Sequence, residues 1–307
     1  MAIPLTGKQY EIAAGDYRAT ATELGAGLRE LLFRDQPVIT GYPADQLPPG
    51  TAGQLLAPWP NRIDGCRGVF DGAEFQLALT EPARTNAIHG LTRWMAWTVV
   101  RHDADVVLLR SSPHGQQGYP FCVEIDAEYR LDPEAGLHAT ITARNRGSCA
   151  APYGTGSHPY LTVRTPSVDE CELTLPATRW LPMDDRGIPS GPPATIEGTP
   201  YDFRQPRVIG ATKLDHALTG LDPDDGGRAW AHLATDGTRV GLWAGPGYRW
   251  LQVFTGDVLG PERRRKAVAV EPMTCPPNAF VTGDDLLVLQ PDETVSHTWG
   301  IQELTLG

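Results

Sequence analysis

Imidazole and carboxylate side chains are well suited to trading protons near neutral pH, and this chain places one of each in a distinctive setting. His158 follows a glycine-rich approach, Gly154-Thr-Gly-Ser-His158-Pro159-Tyr160, in which a strand end can present the ring to a pocket. Glu271 follows the apolar run Ala267-Val-Ala-Val270 and precedes Pro272, which cannot donate to a ladder, so the spacing predicts a carboxylate at a sheet rim. Partial desolvation there would raise its pKa and suit it to general-base work. His89 occupies a similar turn-rich context, Asn86-Ala-Ile-His89-Gly90. In Pro58-Trp-Pro-Asn61-Arg62-Ile63 a polar pair interrupts an apolar stretch, and the fixed fork of Arg62 suits hydroxyl or carboxylate oxygens. Asp215, in Lys213-Leu-Asp215-His216, reads as a turn acid. Taken singly, each has an ordinary structural role open to it, such as a hydrogen-bonded histidine or a salt-bridged arginine.

The remaining ionisable groups read as surface. His102, His114, His138, His216, His232 and His297 fall at polar or solvent-alternating positions, and the run Arg263-Arg-Arg-Lys266 reads as a solvated loop. Eight tryptophans are many for this length; some could stack on a sugar face, and most belong to the core. Gly154-Thr-Gly-Ser-His is not the G-x-S-x-G of a serine hydrolase, and no H-E-x-x-H, P-loop or dinucleotide fingerprint occurs.

The elements that must position these groups alternate with period two. Phe121 to Leu131 places Phe121, Val123, Ile125, Ala127, Tyr129 and Leu131 on one face. After a turn at 132–136 the alternation resumes from Leu137 to Ala143, which predicts an antiparallel hairpin. Similar strand-length segments occur at 17–22, 95–101, 105–111, 171–175, 239–243, 249–254, 267–270 and 294–301, and no long amphipathic helix is visible. Many short strands without intervening helices predict an all-β fold, a large antiparallel β-sandwich, with residues 1–307 as one domain. The Pro/Gly-rich stretches at 182–200 and 220–227 read as surface loops.

Charge and cysteine content narrow the partners. A net charge of −11 argues against nucleic acid and against anionic membrane surfaces. Five scattered cysteines without a C-x-x-C pair indicate neither a disulfide framework nor a zinc cluster, and fit a reducing cytoplasm. No secretory leader or apolar run of membrane-span length is expected.

In chain order, Asn61-Arg62-Ile63, Asn86-x-x-His89-Gly90, Ser157-His158-Pro159-Tyr160, Leu214-Asp215-His216, Leu251-Gln252-Val253-Phe254-Thr255-Gly256 and Val270-Glu271-Pro272 resemble the aldose 1-epimerase (mutarotase) family from about residue 10 to the end. The resemblance implies a galactose mutarotase-like supersandwich with a single sugar site, no cofactor and no metal. It implies Glu271 as the base at the anomeric hydroxyl and His158 as the acid at the ring oxygen. Arg62 and His89 would bind ring and hydroxyl oxygens, Asp215 a hydroxyl pair, and Asn61 and Gln252 would line the site. The chain departs from the family in reading Ser157-His158-Pro159-Tyr160-Leu161-Thr162 around the histidine. His89-Gly90-Leu-Thr-Arg93-Trp94 also resembles the related hexose-6-phosphate epimerases, so a C6-phosphorylated or C6-sulfonated hexose met by Arg93 stands as an alternative substrate. An inverting glycosidase built on Asp215 and Glu271, and a non-catalytic carbohydrate-binding protein, are the competing classes. The partner expected is a small aldose, with a monomer and a homodimer both open.

Overall fold

The alternation at 121–143 forms a long hairpin of strands Val123–Asp132 and Gly136–Asn145 in the computed structural model, which describes residues 3–112 and 114–305. Odd positions from Val123 to Leu131 are buried and even positions half-buried, as one-faced burial requires. Its turn is set locally: Asp132 Oδ1 accepts from the Glu134 and Ala135 N–H groups at 2.8 and 2.7 Å, and Gly136 takes φ +78°. The hairpin sits in a nine-stranded sheet ordered Thr98–His102, Val106–Ser111, Val123–Asp132, Gly136–Asn145, Thr294–Thr305, Thr238–Ala244, Ala229–Thr235, Glu172–Thr174, Arg207–Val208.

A second, eight-stranded sheet runs Ala194–Thr195, Ala177–Trp180, Asp215–Leu221, Trp250–Phe254, Val268–Met273, Gly156–Ser157, Leu55–Leu56, with Tyr160–Leu161 also paired to Val268–Met273. A four-stranded N-terminal sheet begins at Gln9–Ala14. Every ladder between these strands is antiparallel, and one apolar cluster joins Ile125, Leu242 and Trp299 of the first large sheet to Leu218, Leu251 and Val270 of the second. The described residues contain one α-helix, the single turn Ala279–Thr282, and no helix long and apolar enough to cross a membrane.

Several sequence expectations change here. Glu271 is not at a sheet rim: the strand continues through Pro272 to Met273, and all six of its residues are buried. Asp215 opens the strand Asp215–Leu221 rather than occupying a turn. The segment 95–97 precedes its strand, which starts at Thr98. His297 is buried because it shares the core face of its strand with Trp299 and Ile301, and its ring lies 5.6 Å from that of Tyr248. His138, His216 and His232 are half-buried, which leaves His102 and His114 exposed. Arg265 is not solvated either; it pairs with Asp169 at 2.6 Å and Asp257 at 2.9 Å, tying down the loop it belongs to.

Leu251 is fully buried in the strand beside Val268–Met273. Leu251→Ala is expected to cost about 2–5 kcal/mol in urea unfolding; a loss below about 1 kcal/mol would contradict this packing.

Candidate active site

The candidate site starts from a gap in a ladder. Tyr160 pairs with Ala269 and Gly156 with Met273, but between them Ser157-His158-Pro159 and Val270-Glu271-Pro272 form no regular ladder pairs. Two prolines explain this, since Pro159 and Pro272 each lack the N–H that a ladder needs. The register carried across the gap puts His158 opposite Glu271, and His158 Nε2 lies 3.2 Å from Glu271 Oε1.

The same face extends along the sheet. Gln252 is the cross-strand partner of Glu271 on its other side, and Asp215, one pleat along on the next strand, accepts from Gln252 Nε2 at 2.7 Å. Asp215, Gln252, Glu271 and His158 therefore form a row over four neighbouring chain segments. Tyr160 stacks on the His158 ring with centroids 5.0 Å apart and donates its hydroxyl to the Gly50 carbonyl at 2.8 Å.

Loops supply the wall. The strands Arg62–Asp64 and Asn86–Ile88 pair, and the residues beside them, Asn61 and His89, both take left-handed backbone angles of φ +55° and +62°. They clamp each other: the His89 N–H donates to the Asn61 carbonyl at 2.8 Å, and the Asn61 N–H donates to His89 Nδ1 at 3.2 Å. With Nδ1 accepting, neutral His89 carries its proton on Nε2. Gly90 follows at φ +69°, where a Cβ would stand 2.1 Å from the Ala57 oxygen, so only glycine lets the loop pass this close. Arg62 is held by both oxygens of Glu81 at 2.9 and 3.0 Å.

All seven residues read from the sequence, Asn61, Arg62, His89, His158, Asp215, Gln252 and Glu271, line one cavity of about 390 Å³. Larger clefts of about 890 Å³ beside Arg204 and about 740 Å³ beside Cys66 contain none of these seven. Among the described residues, no tryptophan lines the cavity. Sequence reasoning missed Glu81, Arg84 and Phe254 as lining residues, and left Tyr160 without a role although it quoted its motif. Among the described residues, no three His, Cys, Asp or Glu side chains are grouped to hold a metal ion.

Burial dominates the electrostatics. It pushes Glu271 well above the usual carboxylate range, helped by the nearby Asp215 charge and opposed by Arg62. It pulls His158 down to about 3, with Arg93 and Arg62 acting the same way, and holds His89 well below its ordinary value. His158 Nδ1 and Glu271 Oε2 are both shielded and without protein partners. The contact is thus a neutral pair in the resting protein, with the shared proton favoured on the carboxyl.

Similarity to solved structures agrees with this architecture. A GalM/aldose epimerase homologue from C. elegans superposes with a TM-score of 0.87 at 19% identity, over 98% of this chain and 99% of the other. A galactose 1-epimerase from Lactobacillus acidophilus gives 0.81 at 20% identity over 95% and 92%. The fold is of the galactose mutarotase-like class. The family model described as aldose 1-epimerase matches residues 8–302, and the uncharacterized protein YihR of Escherichia coli K12 is 37% identical over 93% of this chain and 90% of its own. Human galactose mutarotase is 30% identical over 72% and 66%. The chain belongs to the aldose 1-epimerase family and is an isomerase of the epimerase/mutarotase kind. That membership sets aside the glycosidase.

The buried carboxyl makes a stability prediction. Unfolded, Glu271 ionises at about pH 4.3. Folded, it keeps its proton to higher pH, so over the interval between the two values the folded state holds the extra proton and stability falls as pH rises. Glu271→Gln removes that loss, so its Tm should exceed wild type by a margin that grows with pH through the interval. A margin independent of pH would show a solvated carboxyl.

Proposed function

We propose that the chain interconverts the α and β anomers of a hexose by ring opening, half-turn rotation about C1–C2 and reclosure. Glu271 takes the proton of the C1 hydroxyl, the C1–O5 bond breaks with its electron pair going to O5, and His158 delivers a proton to O5. The open-chain aldehyde turns, and closure on the opposite face runs the two transfers in reverse. The observation that carries this reading is the 3.2 Å contact between His158 Nε2 and Glu271 Oε1 on the floor of the cavity. Imidazolium–carboxylate and imidazole–carboxylic acid hold the same number of protons. As a sugar slips O1 and O5 between them, the proton held by Glu271 at rest passes to His158, so Glu271 meets O1 as the carboxylate base and His158 meets O5 as the imidazolium acid with no proton drawn from solvent.

The other residues serve orientation. His89 offers Nε2–H to a sugar oxygen, Asp215 accepts from a hydroxyl pair while Gln252 steadies it, and Asn61 fixes the His89 ring. Arg62, anchored by Glu81, turns the rest of its fork toward the sugar. The five cysteines are all unpaired, which supports work in the reducing cytoplasm.

Polarimetry of freshly dissolved α-D-glucose and α-D-galactose in dilute buffer tests this. Wild type should accelerate anomer exchange, and His158→Ala and Glu271→Gln should each lose about 10²–10⁴ of the rate. Exchange near wild type in either variant would remove that residue from its role. The active pair holds one proton, so kcat/KM should fall in acid only as His158 protonates, at about 3, and in alkali as Glu271 ionises above the usual carboxylate range. A plateau confined between about 4.3 and about 6.5, the free-solution values, would contradict the buried pair.

A further inference from the structure

His158 lacks the usual device for aiming an imidazole. A histidine that must present one ring nitrogen is ordinarily held by a hydrogen bond at the other. His158 Nε2 faces Glu271 Oε1 at 3.2 Å, while its shielded Nδ1 has no hydrogen-bond partner among the described residues. Two aromatic rings flank it instead. Tyr160 stacks on it with centroids 5.0 Å apart and planes 22° apart, and His89 meets it at 5.5 Å and 76°.

The stack follows from three consecutive residues. Pro159 biases His158 to extended backbone, and in an extended segment side chains two apart return to one face, so His158 and Tyr160 lie side by side. The segment 50–54 then fixes both. The Gly53 N–H donates to the His158 carbonyl at 2.8 Å, and the His158 N–H donates to the Gln54 carbonyl at 3.1 Å. From the same segment the Gly50 carbonyl accepts the Tyr160 hydroxyl at 2.8 Å. Gly50 takes φ +59°, and a Cβ there would stand 2.9 Å from the Tyr160 hydroxyl oxygen, so the approach needs glycine. Tyr160 is 4% exposed, and its backbone pairs with Ala269 in the strand that carries Glu271.

We propose that Tyr160 is the positioning residue for the acid: tethered at its hydroxyl to Gly50, its ring keeps the His158 imidazole aimed with Nε2 at Glu271. The inference rests on the acid role proposed above for His158. Tyr160 lines the cavity, but its hydroxyl proton is committed to Gly50, so its effect on the rate runs through the histidine and not through sugar binding. An imidazole free to turn would spend part of its time off the line to O5, and misplacement by about 1 Å costs on the order of 10² in rate. The phenol ring also screens His158 from water. Removing it leaves the ionisable groups that face His158, namely Glu271, His89, Arg62 and Arg93, in place.

Anomer exchange, together with carbon-13 relaxation at His158 Cε1 as a measure of ring mobility, tests this on Tyr160→Leu, Tyr160→Phe and Tyr42→Leu. Tyr42 belongs to the same small apolar cluster as Tyr160 and does not line the cavity, so it controls for lost packing. Tyr160→Leu should lower kcat about tenfold to a hundredfold with KM within about threefold of wild type, and its His158 ring should become mobile. Tyr160→Phe keeps the stack and loses the tether, so its kcat should fall only about threefold to tenfold. Tyr42→Leu should lower Tm while kcat and a rigid His158 ring are kept. Water admitted beside His158 by the leucine should also move the acid limb of kcat/KM from about 3 toward about 6.5. A Tyr160→Leu loss confined to KM, or a kcat loss no larger than that of Tyr42→Leu, would overturn the inference. Should the leucine variant fail to fold, wild-type kcat in Tyr160→Phe would overturn it. If wild type accelerates no sugar, the epimerase reading falls, and relaxation alone decides the positioning role: a His158 ring as rigid in the Tyr160 variants as in wild type would end it.

Discussion

A carboxyl and an imidazole 3.2 Å apart, with side chains 2% and 6% exposed, set the terms for the rest of this molecule. Neither group gains from being there as a charge, because water is excluded from both. What makes the pair possible is the local opening of a sheet by Pro159 and Pro272. The two chains stay in register while their side chains turn into the cavity rather than being separated by a closed ladder. The strand that carries Glu271 is central and buried over its whole length, so the carboxyl has little freedom to move.

The surrounding structure divides between a rigid floor and a looped wall. The floor is one face of the eight-stranded sheet, where cross-strand neighbours Gln252 and Glu271 and the diagonal neighbour Asp215 are placed by register alone. The wall depends on unusual backbone, with Asn61, His89 and Gly90 all at positive φ and tied together by reciprocal hydrogen bonds. Strained loop positions supported by such bonds are common where side chains must be aimed. Glu81 completes the wall by fixing Arg62, while Arg84 and Arg93 line the same cavity without an ion-pair partner among the described residues.

The sequence made the one-faced strands legible, because alternation from Val123 to Leu131 maps directly onto a buried and a half-buried face. It was less informative where burial is two-sided. The strand Val268–Met273 shows no alternation, and its proline read as a stop although the neighbouring ladder is open there. His297 shares period two with Trp299 and Ile301, so its burial was readable from spacing and was missed by attending to its polarity. The seven proposed site residues converge on one cavity, which their separate motifs could not show, since residues from 61 to 271 meet only through the fold. Glu81 carried no signal, because its importance lies in reaching Arg62 from another loop.

The central claim is that His158 and Glu271 form a buried pair whose proton stays off the imidazole at rest. Nitrogen-15 NMR of the histidine side chains from about pH 5 to about pH 8, with His158 assigned by its loss in His158→Ala, reads this directly. The account predicts a neutral His158 imidazole that does not titrate across the range. A His158 resonance that moves to the imidazolium position with a midpoint of about 6.5 would contradict it.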